Sequence, residues 1–242
     1  MKNSIAPIVI GLAIIISTSI LGSAWKKSHL THNSINVTGM ASRDFESDLI
    51  VWSGSFQRKE MTTKDAFEKL KEDMAAIKHY LTSKGIAEKE IVFSAVSIKK
   101  EFDRVKNNDR SETNVFTGFT LTQRVEIESK SVNKVELVSR EVTELIDKGV
   151  EFYSDAPRYY YTKLADLKIE MLASATKDAR TRAENIAENA GGKIDRLSSA
   201  DMGIFQITGQ NSSDDYSWGG TFNTTSKNKT ATITVRLDFA IN

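Results

Sequence analysis

Hydrophobic and polar positions follow clear periods along most of this chain, and they switch between two types. Ile35, Val37, Gly39 and Ala41 alternate with polar residues and predict a strand; a second follows from Asp48 to Gln57, with Arg43 to Ser47 read as a turn. Ala66, Leu70, Met74, Ile77 and Leu81 then recur at spacings of three and four, predicting a helix over 63–83 with Thr62 or Thr63 capping its start and Gly85 ending it. A strand from Ile91 to Phe102 and a charged turn from Asp103 to Thr113 come next. Val115, Phe119, Leu121, Val125 and Ile127 share one parity against Thr120, Thr122, Arg124, Glu126 and Glu128, so one face of that strand is buried and the other wet. Val135, Val138, Val142 and Leu145 mark a helix over 132–147, closed by Gly149.

Two short strands are predicted between Val150 and Thr162, around Asp155-Ala156-Pro157. The longest helix runs over 163–189, with Leu164, Leu167, Met171, Ala175, Ala179, Ala183, Ile186 and Ala190 facing inward; its alanines let the helix axis approach a sheet closely. Gly191-Gly192 supplies its end. A strand over 194–208, a polar loop over 209–228 and a regularly alternating strand over 230–241 complete the chain. Strands in pairs between helices imply hairpins. The class is therefore α+β, with three main helices packed on antiparallel sheets as strand-pair-plus-helix units.

The N-terminal stretch departs from both periods. Ile5 to Ala24 carries no charge and no polar face, and as a helix it is long enough to cross a bilayer core of roughly 30 Å. It is read either as a retained transmembrane signal anchor or as a signal peptide cleaved after Gly22-Ser23-Ala24. Trp25-Lys26-Lys27 fits an interfacial flank, although those lysines outnumber Lys2 and leave the direction of insertion open. The organisation is thus a membrane segment over 1–25, a polar linker over 26–34 and one domain over 35–242.

Composition narrows the function classes. Thirty-three basic and 32 acidic residues leave a net charge of +1 in 242 residues, without the basic stripe of a nucleic-acid binder. With no cysteine, disulfides, thiolate nucleophiles and Cys-ligated metals are excluded. No cofactor and no metal are expected. The three histidines, His29, His32 and His79, stop at position 79, and no catalytic or phosphate-loop motif is present, so no catalytic residue is assigned. His29 and His32 read as linker residues and His79 as an ordinary helix residue. Asp214-Asp215 lacks the alternating ligands of a calcium loop and reads as solvated loop. The aromatic residues are more informative. Tyr159, Tyr160 and Tyr161 cannot all face one side of a strand, and Tyr216, Trp218 and Phe222 stand in the polar loop. Together these six form a candidate surface for a glycan, a peptide or another envelope protein.

The helix segment Ala175-Thr-Lys-Asp178-Ala179-Arg180-Thr-Arg182-Ala183-Glu184-Asn-Ile186-Ala187, followed by Gly191-Gly192, resembles the signature of the SIMPL domain family. Ile35-Asn-Val37-Thr-Gly39, the link Leu81 to Ile86 and Thr117-Gly118-Phe119 resemble further family positions in the right order. Ser47-Asp48 stands where members often carry Pro-Asp, and Phe102 and Phe119 where tyrosines are common. The resemblance implies a bacterial protein exported to, or anchored facing, the periplasm, with homo-oligomeric assembly and links to oxidative or envelope stress in some members, and no agreed enzymatic activity. It also implies that the folded body lies outside the inner membrane.

Overall fold

A computed structural model describes residues 5–28, 34–106, 112–214 and 217–241, with side chains described throughout except at 5–8, 24–28 and 106. In chain order the elements are α1 (Ile5–Ser28), β1 (Ser34–Glu46), β2 (Leu49–Glu60), α2 (Thr63–Ser83), β3 (Ile91–Phe93), β4 (Ser97–Lys106), β5 (Glu112–Ser129), α3 (Val132–Glu141), β6 (Phe152–Ser154), β7 (Arg158–Tyr160), α4 (Leu164–Asn189), β8 (Ile194–Met202), β9 (Gln206–Gly209) and β10 (Asn228–Ile241). The class is α+β, and every strand pairing whose register is resolved is antiparallel. The chain forms two compact units. The larger comprises Met40–Ala175 and Gly203–Thr234; the smaller takes the described residues up to Gly39, Thr176–Met202 and those from Val235 onward.

The larger unit is organised around β2. One side of β2 pairs with β5 from Ile50↔Ser129 to Glu60↔Phe119; the other takes β7 at 49–51 and β6 at 54–56. The two short strands are thus successive pieces of one edge, interrupted at Asp155–Pro157, rather than partners of each other. Proline cannot donate to a ladder, which is why the edge breaks there. On one sheet face Ile50, Trp52, Phe56, Leu121, Val125 and Ile127 are buried, and α2 and α3 cover them with Leu70, Ile77, Leu81, Val135 and Val138.

The boundaries of α2 coincide with the sequence reading, because Thr62 accepts the Asp65 amide at 3.1 Å and fixes the start. Its buried stripe also holds Asp73 and Tyr80, which apolar periodicity passes over. The helix predicted over 132–147 is α-helical only to Glu141 and continues as a 3-10 turn, Val142–Lys148. A period of three keeps Val142 and Leu145 on one buried side.

Three segments before α3 differ from the periodic reading, and after α4 the strand expected over 194–208 breaks at 203–205. Residues 43–46 extend β1 instead of turning. The strand expected over 91–102 breaks at 94–96, where Ser94 is tied to β5 by its side chain: its Oγ accepts the Arg124 amide at 3.1 Å, and its carbonyl accepts Gln123 Nε2 at 2.8 Å. In the charged stretch 103–113 the described residues are strand, with β4 running to Lys106 and β5 starting at Glu112; 107–111, the rest of the expected turn, lie outside the described residues.

In the smaller unit the end of β10 pairs with β8, from Val235↔Met202 to Ile241↔Ile194. Ala179, Ala183 and Ala187 on α4 are buried, as are Val235, Leu237 and Phe239. Ile186 and Ala190, expected to face inward, are exposed. A spacing of four throughout, from Leu167 to Ala187, sets the buried line, and Ile186 falls beside it. Among the described residues no helix is long and apolar enough to cross a membrane. The side chains of α1 are described only from 9 to 23, a shorter stretch than the 5–24 span read from the sequence.

Candidate functional site

The six aromatic residues singled out from the sequence are placed differently from one another. Tyr159 sits in the core of the larger unit opposite Ile50, and burial raises its phenol above the usual range. Tyr160 pairs with Leu49 and is half-buried, and Tyr161 lies against Phe45 with ring centroids 4.9 Å apart. Tyr216 lies outside the described residues. Trp218 and Phe222 are exposed, Trp218 at 95%. The structure therefore separates a packed tyrosine strand from an exposed loop pair, and no ring contact joins the two groups among the described residues.

The loop between β9 and β10 is tied at many points. Asp214 Oδ2 accepts the Gly209 amide at 2.8 Å and Asn223 Nδ2 at 2.7 Å. These donors hold its carboxyl below the ordinary range, the Gly209 amide most of all. Asn223 Oδ1 in turn accepts the amides of Thr225 and Ser226. Gln206 bridges to the far limb: its Nε2 donates to the Ser217 carbonyl at 2.8 Å, and its Oε1 accepts the Thr221 amide at 2.6 Å. Asp214 is thereby engaged in structure, and Asp215 lies outside the described residues. This bracing leaves Trp218 on the rim of a groove of about 480 Å³, shared with Met40, Ile204 and the Thr232–Thr234 stretch of β10.

A second surface was not evident from periodicity. Beyond Leu121 the β4–β5 hairpin exposes Ile98, Phe102, Val105, Val115 and Phe116. Phe102 and Phe116 meet edge to face at 5.7 Å, and Phe116 meets Phe119 at 5.2 Å. Val115, expected on the buried parity, is exposed because the covering helices end short of it. The signal was available in the register: Phe102 and Phe116 stand directly opposite, across a bulge after Glu101. The bulge coincides with Gly118, whose φ is +123° and whose close approach to the Glu60 carbonyl leaves no room for a Cβ.

This strand order and the alanine line of α4 accompany a match to the SIMPL family model, described as a protein of unknown function (DUF541), over residues 35–239. The chain belongs to the SIMPL family. Among curated proteins, none matches its sequence.

Proposed function

We propose that this is a non-catalytic envelope protein that assembles with copies of itself through the β4–β5 hairpin. The observation that carries the reading is the apolar arm: five large hydrophobic side chains exposed on a hairpin whose outer strand, β4, ends the sheet. Exposed edges of this kind are templates for strand pairing. Residues 5–24 would anchor or export the chain, with the body facing the periplasm as the family resemblance implies. The family resemblance suggests a structural or stress-related role for such a protein. Light scattering of the full chain in detergent tests the assembly. Wild type is expected to form a homo-oligomer and Phe102→Asp/Phe116→Asp to run as a monomer. A wild-type monomer over a wide concentration range overturns the reading.

Trp218 favours a second reading, a module that binds a glycan, a peptide or an envelope protein. A fully exposed indole beside a groove with threonine hydroxyls suits stacking on a sugar face. Quenching of tryptophan fluorescence by envelope oligosaccharides, lost in Trp218→Ala, would support it; identical titrations would end it.

A further inference from the structure

The start of α3 is uncapped. The Ser131 side chain makes no capping hydrogen bond, and the first intrahelical bond runs from the Val135 amide to the Ser131 carbonyl at 3.1 Å. The amides of Val132, Asn133 and Lys134 are thereby left without acceptors, at the end of the helix where partial positive charge gathers. They line a cavity of about 640 Å³ together with Ser47, Lys130 and the Thr162–Lys163 corner before α4.

Ser47 is an independent sign of a missing partner. It is only 3% exposed, lies on the cavity wall, and its hydroxyl has no hydrogen-bond partner among the described residues. Buried hydroxyls are nearly always satisfied, so an orphan beside a cavity points to something that fills it.

The charges on the wall decide its sign. Asp48 and Glu46 are both engaged: Asp48 accepts the Thr162 amide and hydroxyl, each at 2.7 Å, and Glu46 pairs with Lys227 at 3.0 Å. By contrast, among the described residues Lys130 and Lys163 have no carboxylate partner, and Lys134 donates only to the Gly85 carbonyl at 3.2 Å. The wall therefore offers free N–H donors, a hydroxyl and three ammonium groups against one carboxylate, Asp48, whose bonds to neutral Thr162 leave its charge in place. A metal ion is repelled by that set. A tetrahedral oxyanion is matched by it, since such ions take several convergent donors at a helix start.

We propose that this cavity binds a phosphate group, carried either by a free phosphate or by a phospholipid headgroup. The volume exceeds a bare ion and leaves room for the small polar body to which the phosphate is attached. The amides of 132–134 take the phosphoryl oxygens, Lys130 and Lys163 balance the charge, and the buried Ser47 hydroxyl donates once its side chain rotates toward the cavity.

The test is calorimetric titration of the full chain in a phosphate-free detergent at constant ionic strength. The probes are inorganic phosphate and the short-chain lipid dihexanoyl-phosphatidylglycerol. Saturable binding of phosphate alone assigns the site to free anions, and binding of the lipid assigns it to headgroups. Lys130→Gln/Lys163→Gln is expected to weaken binding about tenfold. Ser47→Ala is expected to weaken it less, and Lys64→Gln, exposed on α2, to leave it unchanged. Unaltered circular dichroism shows that the variants fold. Saturation by neither probe in wild type overturns the proposal, as does wild-type affinity in the double variant. Phe102→Asp/Phe116→Asp separates this site from assembly, since binding is expected to persist in it.

Discussion

Arg58 on β2 and Asp73 on α2 are joined by a two-pronged ion pair, with Nε 2.5 Å from Oδ2 and Nη2 2.7 Å from Oδ1. Asp73 is 4% exposed and occupies a core position of the helix stripe, so a charge stands where an apolar residue would. Arg58 also donates to the Gly149 carbonyl at 2.8 Å, closing the 3-10 turn after α3. Asp73 holds the guanidinium protonated beyond its usual range. Removing one partner leaves the other without its bond, while replacing both by apolar groups need not destabilise. Asp73→Ala is expected to lower unfolding stability by about 3 kcal/mol, and Arg58→Met/Asp73→Leu by clearly less. Urea denaturation of wild type and both variants reads this; equal losses in the single and double variants would contradict it.

Gly118 permits the bulge that sets Phe102 against Phe116. Its φ of +123° is closed to residues with a side chain, and a Cβ there would lie 2.5 Å from the Glu60 carbonyl oxygen. Gly118→Ala is expected to destabilise by roughly 1–3 kcal/mol and to shift the hairpin register. The measurement is denaturant unfolding combined with amide exchange along β4. Wild-type protection from Ser97 to Lys106 in the variant would show that the bulge does not depend on the glycine.

How much of this was legible follows from which forces set each element. The ends of α2 and β10 from Thr230 onward rest on local signals: a Thr62 cap, a stripe, and strict alternation from Ala231 to Ile241. The break at Ser94 rests on bonds to Gln123 and Arg124, about thirty residues away, and no local pattern carries it. Tyr159, Tyr160 and Tyr161 look equivalent in sequence, yet pairing with β2 sends only the first into the core. Trp218 stood out by type alone. The uncapped α3 start is visible only once Ser131 is known to make no cap and Ser47 is found beside it.

The alanines of α4 give a steric prediction. Ala175, Ala179 and Ala183 are fully buried, at a spacing of four. Close-packed surroundings leave no space for extra methylenes, so Ala183→Leu is expected to cost about 1–3 kcal/mol. Ile186→Ala, at an exposed neighbour, is expected to change stability by less than about 0.5 kcal/mol. Thermal unfolding compares them. The reverse order would place the helix face as the apolar count first suggested, with Ile186 inward.

Lys229 yields a pH dependence. It occupies a buried-parity position of β10 at 2% exposure, and its Nζ donates to the Asn223 carbonyl at 2.7 Å. Burial lowers its pKa from 10.5 to about 8, with the Asp214 charge opposing the shift. The group is a base whose folded pKa lies below its unfolded one. Below about pH 8 both states carry the ammonium, and the folded state bears the cost of burying it. Between about 8 and 10.5 the unfolded chain holds the proton and the folded one has released it, so stability rises with pH through that window. The full gain is on the order of 3 kcal/mol. Tyrosines titrate nearby, so the informative quantity is the difference from Lys229→Met, which lacks the ionisable group. Wild type is expected to gain on the variant as pH rises from about 8 towards 10.5. Loss of the Asn223 tie is also expected to raise amide exchange in the 210–227 loop of the variant. Parallel stability curves for the two proteins would mean that Lys229 keeps an ordinary pKa, with its ammonium hydrated in the fold.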